Sequence, residues 1–294
     1  MRSKQMIPDR GFITIATTKQ QQVAAATLAN SIKTYNPTAS VTMVVPSLAG
    51  VLSHHEYAFD YIVEFPFTSS QETRSNDWQL YWASPYDNSI FIDCYSVLCN
   101  DISYTFDYLM YSYNVCLLST FQRFNNNQCL DISETFYSAN KKQTVNSNIF
   151  FFDKSEESLT YFKMADPLMQ NWRDTFKALV DPIFTDGKYD THLMHRLVID
   201  SLGNSSNYIN SKYDFVNNID MQRETHRMLK AEVITESWLE KLNYWVIPEG
   251  RVKVQNFTVN SVLTYADINF ITDEVYGTFR NTAAKRKSTV VDKV

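Results

Sequence analysis

Ser84-Pro85-Tyr86-Asp87-Asn88-Ser89-Ile90-Phe91-Ile92-Asp93-Cys94-Tyr95 decides how this chain is read. A polar turn runs into an apolar strand, and the strand delivers one carboxylate, Asp93, at its end. In an open α/β sheet, ligands bind at the carboxyl edge of the strands. Asp93 therefore stands where a ligand would be met. Its plain alternative is a turn residue that closes a buried strand.

Working outward, strands and helices alternate. Residues 11–18 (Gly-Phe-Ile-Thr-Ile-Ala-Thr-Thr) read as a buried strand ending in small hydroxyl residues. Over 20–35, Ala24, Leu28, Ile32 and Tyr35 share one helical face, and Asn36-Pro37 stops the helix. Short apolar strands follow at 40–46 and 61–65. A helix over 71–83 carries Trp78, Tyr81 and Trp82. The Ile90 strand comes next, then a helix near 101–112 and a strand at 115–119. Residues 122–143, rich in Asn and Gln, read as a long surface connection. A strand at 145–152 precedes a long helix over 155–179, and 189–202 read as helical. This alternation on mostly short connections predicts a mostly parallel α/β sheet flanked by helices, with a more irregular C-terminal part. Pro248-Glu249-Gly250 reads as a turn and 251–258 as an edge strand. The last ten residues read as disordered. No repeat and no Gly-, Pro- or Ser-rich linker divides the chain. The expectation is one domain over 1–280. Residues 281–294 are expected to form a basic, flexible tail.

Composition narrows the function classes. The 294 residues suffice for a sizeable core. Only 6 are glycine, and no GxGxxG or GxxxxGK(S/T) pattern occurs, so a Gly-rich phosphate loop is excluded. Phosphate, if bound, falls to side chains, a metal or a helix terminus. A net charge of −5 is the wrong sign for a non-specific nucleic-acid binder. Lys285-Arg286-Lys287 is a local exception and reads as part of a solvated tail. Cys94, Cys99, Cys116 and Cys129 form no CxxC pair, which suits reduced thiols of a cytoplasmic protein. No apolar segment behind Met1 reads as a signal peptide, and no apolar run reaches the length of a membrane span.

Four features in order resemble the GT-A nucleotide-sugar glycosyltransferases of the glycogenin-like, retaining type. These are the strand Gly11–Thr18 with its Gln-rich helix start, the segment Arg74–Asp93 with its SPYD turn, Val145-Asn146-Ser147-Asn148, and Thr185-Asp186-Gly187-Lys188-Tyr189-Asp190. The resemblance covers about residues 11–200, and it implies a nucleotide-binding part at about 11–120 and an acceptor part at about 140–280. Compact, divergent forms of this kind are encoded by viruses and phages. The resemblance also implies a UDP-sugar donor, a hydroxyl acceptor (a glycan, a protein or a modified nucleic-acid base) and retention of anomeric configuration. Asp93 would contact donor ribose or phosphate. Thr17 and Thr18 would hold base and ribose, and Asn146 and Asp190 would face the sugar.

The motif departs from the family where the family reads Asp-x-Asp. Here Tyr95 takes the second carboxylate's place, and the family's late metal-binding histidine has no counterpart in 253–258. Mn²⁺ and Mg²⁺ favour carboxylate oxygens, and a neutral phenol is a poor substitute. A metal site on Asp93 is therefore weakened or absent, and Arg74 or Lys253 becomes the expected counter-charge for phosphate. Each residue also has a plainer reading. Tyr95 could simply pack. Arg74 and Asp77 could be a surface ion pair worth under about 0.5 kcal/mol. Asn146 and Ser147 could form a strand-entry turn, and Asp190 an N-cap. His192 and His195 share a helical face without a third ligand and read as a surface or half-buried pair. Two functions stand: a sugar transferase with an atypical metal site, or a GT-A relative that binds nucleotide sugars without catalysis.

Overall fold

The computed structural model describes residues 8–70, 72–118, 121–122, 128–129, 145–179, 189–203, 207–210, 218–221, 244–247, 250–254, 257–260, 262–265 and 270–291. Most of the polar connection at 122–143, Thr185–Lys188 of the acidic turn, Pro248-Glu249, and most of the stretch 204–243 lie outside the described residues.

The first half alternates as the sequence suggests. Strand β1 (Arg10–Ile15) leads into helix α1 (Lys19–Tyr35), then β2 (Val41–Val45) and β3 (Tyr61–Glu64). A 3-10 helix, Thr73–Gln79, runs into the one-turn helix α2 (Leu80–Ala83) and on to β4 (Asn88–Ile92). After β4 come β5 (Ser96–Leu98), α3 (Ser103–Ser112), β6 (Val115–Leu118) and the short β7 (Phe121–Gln122) and β8 (Gln128–Cys129). Strand β9 (Asn146–Asp153) precedes α4 (Glu156–Gln170), α5 (Trp172–Leu179) and α6 (Thr191–Leu202). The remainder holds β10 (Ile209–Asn210), β11 (Asn218–Asp220), β12 (Tyr244–Val246), β13 (Val252–Val254), β14 (Phe257–Val259), β15 (Val262–Thr264) and the helix α7 (Asp273–Val291).

Seven strands form the main sheet in the order β10-β6-β9-β4-β1-β2-β3. All its pairings are parallel except those of β9, which runs antiparallel to both β4 and β6. Both faces are covered, which explains the unbroken apolar runs. Phe91, Phe150 and Phe152 point toward α4 and α6. Ile90, Ile92 and Phe151 point the other way, onto Leu28 and Ile32 of α1 and Phe106 of α3.

From β1 the chain steps to β2 and β3 on one side, then returns to β4 on the other. The crevice between the carboxyl ends of β1 and β4 is therefore the topological switch point of the sheet, the place where such folds bind ligands. Three residues, Asp93-Cys94-Tyr95, carry the chain from β4 into β5. Strand β5 belongs to a second, five-stranded sheet, in the order β5-β15-β11-β7-β8.

Three expectations are corrected. The long helix over 155–179 is two helices: Pro167 supplies no N–H, and Asn171 ends α4, while Asn171 O accepts from Thr175 N in the next turn. The edge strand over 251–258 is a pair of antiparallel strands, β13 and β14, within a three-stranded sheet. The basic tail is helical as far as Val291, because α7 lays Val275, Phe279 and Ala283 at i, i+4 and i+8 into the core. Within that stretch Arg286 Nη1 donates to Thr34 O at 2.6 Å, and its guanidinium sits 5.4 Å from the Tyr35 ring.

Candidate functional site

Thr17 and Thr18 follow the carboxyl end of β1. Thr18 caps α1 in a reciprocal box with Gln21: Gln21 N donates to Thr18 Oγ1 at 3.2 Å, and Gln21 Oε1 accepts from Thr18 N at 3.2 Å. Thr17 Oγ1 donates to Gln21 Oε1 at 2.8 Å and lies 2.6 Å from Thr73 Oγ1. The Tyr95 phenol also bonds to Gln21, and burial pushes its pKa up to about 12, so it stays protonated. Its ring packs edge-on against Tyr265. Thr17, Gln21, Thr73 and Tyr95 thus form one polar network.

A second network begins one residue after Thr73. Arg74 Nε and Nη2 grip the Asp77 carboxylate at 2.7–3.0 Å. Arg74 Nη1 donates to Asp93 Oδ2 at 2.7 Å, and Nη2 also donates to Ser147 O at 2.8 Å. The guanidinium lies over the Phe91 ring at 4.7 Å. Asp93 Oδ1 accepts from Tyr95 N at 2.8 Å, so both carboxylate oxygens are engaged. Asp77 is fully buried, and its Oδ2 lies 3.0 Å from His195 Nε2. His195 Nδ1 lies 2.6 Å from Tyr161 Oη.

These contacts fix the protonation states. Burial opposes the charge on Asp77. The Arg74 guanidinium and the hydrogen bond from His195 outweigh it and hold the carboxyl below its ordinary value. Burial lowers the His195 pKa, so the imidazole is neutral at pH 7. An ionised carboxylate only accepts, so His195 Nε2 carries the proton and Nδ1 receives the Tyr161 hydroxyl. Arg74 is driven further toward its charged form by Asp77 and Asp93, against the cost of burial.

The remaining site residues fall around this cluster. Asn146, Ser147 and Asn148 open β9 and are buried. Asn146 Oδ1 accepts from Asn148 N at 3.0 Å, and Asn148 O accepts from Asp93 N at 2.8 Å. Ser147 N donates to His192 Nδ1 at 3.0 Å. Asp190 is half-buried and caps α6, accepting from Leu193 N at 3.0 Å. Lys253 lies in the three-stranded sheet.

The structure therefore brings Thr17, Thr18, Arg74, Asp93, Tyr95 and Asn146 to one edge. Two expectations change. Arg74 and Asp77 form a buried pair, because Asp77 turns into the core beneath β4. His192 and His195 are buried as well, each with Nδ1 already accepting or facing a donor. Arg74 keeps a single N–H of its five for a ligand among the described residues, since two carboxylates and a carbonyl take the rest. Sequence reasoning missed Gln21, Thr73 and Tyr161. The Thr18-x-x-Gln21 spacing would have revealed the first as a capping box. Thr73 and Tyr161 carry no local signal.

The donor set does not fit a hard divalent cation. Asp93 has both oxygens in hydrogen bonds, Tyr95 is a neutral phenol, and no group of three His, Cys, Asp or Glu residues converges among the described residues.

Comparison with solved structures gives the fold its class. The glycosyltransferase GlyE of Streptococcus pneumoniae TIGR4 superposes with a TM-score of 0.55 at 9% identity, over 97% of this chain and 64% of GlyE. Galactosyltransferase LgtC, solved with donor and acceptor sugar analogues, superposes with a TM-score of 0.50 at 12% identity, over 94% of this chain and 95% of LgtC. The bifunctional glycosyltransferase WbbM gives 0.50 at 12% identity, over 96% of this chain and 51% of its own. The chain has the GT-A fold. It spans less than two thirds of the length of GlyE. No protein-family model matches the sequence, and no curated protein sequence does.

Proposed function

We propose that this protein transfers a sugar from a nucleoside diphosphate donor, in the first instance a UDP-sugar, to a hydroxyl acceptor, with retention of configuration. The observation that carries the reading is the polar cluster around Asp93 at the switch point between β1 and β4. In this reading the base and ribose lie over Thr17, Thr18 and the start of α1. Asp93 and Tyr95 meet the ribose or the diphosphate, and Asn146 and Asp190 face the sugar. Breaking the bond between the anomeric carbon and the diphosphate gives an oxocarbenium-like state and a leaving group that gathers negative charge. The positive end of α1, with Lys19 exposed in its first turn, supplies counter-charge beside Thr18. Arg74 shapes the site through Asp93 and contributes little free charge of its own. The reduced cysteines Cys94, Cys99 and Cys116 accord with a cytoplasmic setting. Among the described residues no helix is long and apolar enough to cross a membrane.

A thermal-shift panel of nucleoside diphosphates and their sugars, each with and without Mn²⁺, tests the reading. UDP should raise the midpoint with little dependence on Mn²⁺. Asp93→Ala should lose that shift while still unfolding cooperatively, because Asp77 continues to neutralise Arg74. A panel without any shift, or undiminished UDP affinity in Asp93→Ala, refutes it.

One observation favours a second reading, a nucleotide-sugar-binding protein without catalysis: both oxygens of Asp93 are engaged inside the protein. Hydrolysis of a bound UDP-sugar, or its transfer to any acceptor, excludes that reading.

A further inference from the structure

Tyr161 and His195 are titratable, buried and outside the crevice, and the transfer reaction gives them no part. They nevertheless end a continuous chain that leads to Asp93: Tyr161 Oη to His195 Nδ1 (2.6 Å), His195 Nε2 to Asp77 Oδ2 (3.0 Å), Asp77 to Arg74 (2.7 Å), and Arg74 Nη1 to Asp93 Oδ2 (2.7 Å). Each link removes a freedom from the next. A neutral imidazole can offer its single N–H from either nitrogen. The Tyr161 hydroxyl takes Nδ1, so Nε2 must face Asp77. That bond, with Thr191 Oγ1 at 3.4 Å from the same oxygen, holds the Asp77 carboxylate in one orientation. The carboxylate in turn receives Arg74 Nε and Nη2, which leaves Nη1 aimed at Asp93.

We propose that His195, oriented by Tyr161, is a positioning residue of the donor site: it sets the orientation of the Asp93 carboxylate through Asp77 and Arg74. The proposal rests on the donor-binding reading above and deepens it. The packing supports it. The His195 ring lies 5.1 Å from Phe150 and stacks on Tyr161 at 6.2 Å, so the imidazole cannot rotate without disturbing the core.

The experiment uses the full chain and two readouts. The first is UDP affinity by calorimetry. The second, which needs no ligand, is hydrogen exchange of the Arg74 Nε–H by NMR. His195→Phe keeps the ring but has no N–H for Asp77, whereas His195→Gln restores a donor. In His195→Phe, UDP affinity should fall about tenfold, equivalent to about 1.4 kcal/mol, and Arg74 Nε–H exchange should speed up by a similar factor. In His195→Gln both should return to within about threefold of wild type, as expected for one charge-assisted hydrogen bond. A purely structural role would lower the melting temperature of both variants and leave both readouts unchanged in the folded fraction. That result overturns the proposal. If His195→Phe does not fold, Tyr161→Phe serves. It removes one oxygen and with it the bond to His195 Nδ1, and should move both readouts in the same direction by less; no movement overturns the proposal. If wild type does not bind UDP, the donor reading fails, and the Arg74 exchange still decides whether His195 positions the cluster.

Discussion

Arg74 is the residue on which the site turns, and its energetics follow from burial. A guanidinium inside a protein is tolerated only when its donors and its charge are matched, and here Asp77, Asp93 and Ser147 O match them. Removing the cation leaves Asp77 buried and uncompensated. Arg74→Met should therefore destabilise the fold by about 3–5 kcal/mol, the usual cost of breaking a buried pair from one side. Arg74→Lys retains the charge but not the planar fork and should fall between Met and wild type. Urea midpoints at constant m-value check both, and a loss below about 1 kcal/mol in Arg74→Met contradicts the account. The sequence showed part of this. The position of Asp93 was legible because it ends an apolar strand at the carboxyl edge of the sheet. The Arg74–Asp77 spacing was legible as a pair, but spacing alone carries no burial, and the partner Asp93 lies 19 residues on. Tyr161 and His195 were not legible as partners, since nothing local marks a contact between two helices.

At the scale of the element, the SPYD turn explains why the second residue of β1, Gly11, is one of the chain's few glycines. Tyr86 is buried, and its hydroxyl lies 2.8 Å from Ser40 Oγ and from Thr42 Oγ1 of β2. Its ring is thereby pinned against the backbone of β1. A Cβ on Gly11 would lie 2.2 Å from that ring. Gly11→Ala should thus destabilise by about 1–3 kcal/mol through overpacking. Gly11→Ala combined with Tyr86→Ala should cost less than the two single changes together, because the clash vanishes with the ring. Additive costs in a double-mutant cycle would place the strain elsewhere. Element existence was legible where apolar periodicity was strong, as in β1, α1 and β4. Direction was not: β9 has the same apolar character as the strands that pair in parallel elsewhere in the sheet, and only pairing with β4 and β6 shows it antiparallel. The helix α7 escaped because Val275, Phe279 and Ala283 make a stripe one residue wide among charged and polar neighbours.

At the scale of the whole molecule, α7 is held against the first half of the chain, and that contact carries a pH dependence. His55 Nδ1 lies 3.1 Å from Tyr276 Oη on α7, and Tyr57 Oη lies 2.7 Å from the same hydroxyl. Burial, with a smaller repulsion from His54, lowers the His55 pKa from its ordinary value of 6.5 to about 4. The folded state therefore takes up this proton later than the unfolded chain. Between pH 6.5 and about 4 the unfolded state binds more protons, so stability rises with pH and is lost as pH falls through that window. His195, also lowered by burial, acts in the same sense. Glu72, raised by burial, acts in the opposite sense around its ordinary value of 4.5. Asp77, held low by Arg74, loses its contribution only at more acidic pH, below its ordinary 3.8. His55→Asn keeps a group that can bond Tyr276 but does not titrate here. It should flatten the plot of urea midpoint against pH between 6.5 and 4 without abolishing the slope, since His195 remains. The midpoint at pH 8, where both histidines are neutral in either state, should change least. A slope identical to wild type would show that His55 titrates alike in the folded and unfolded chain, and that the seam between α7 and the first half of the chain is open to water.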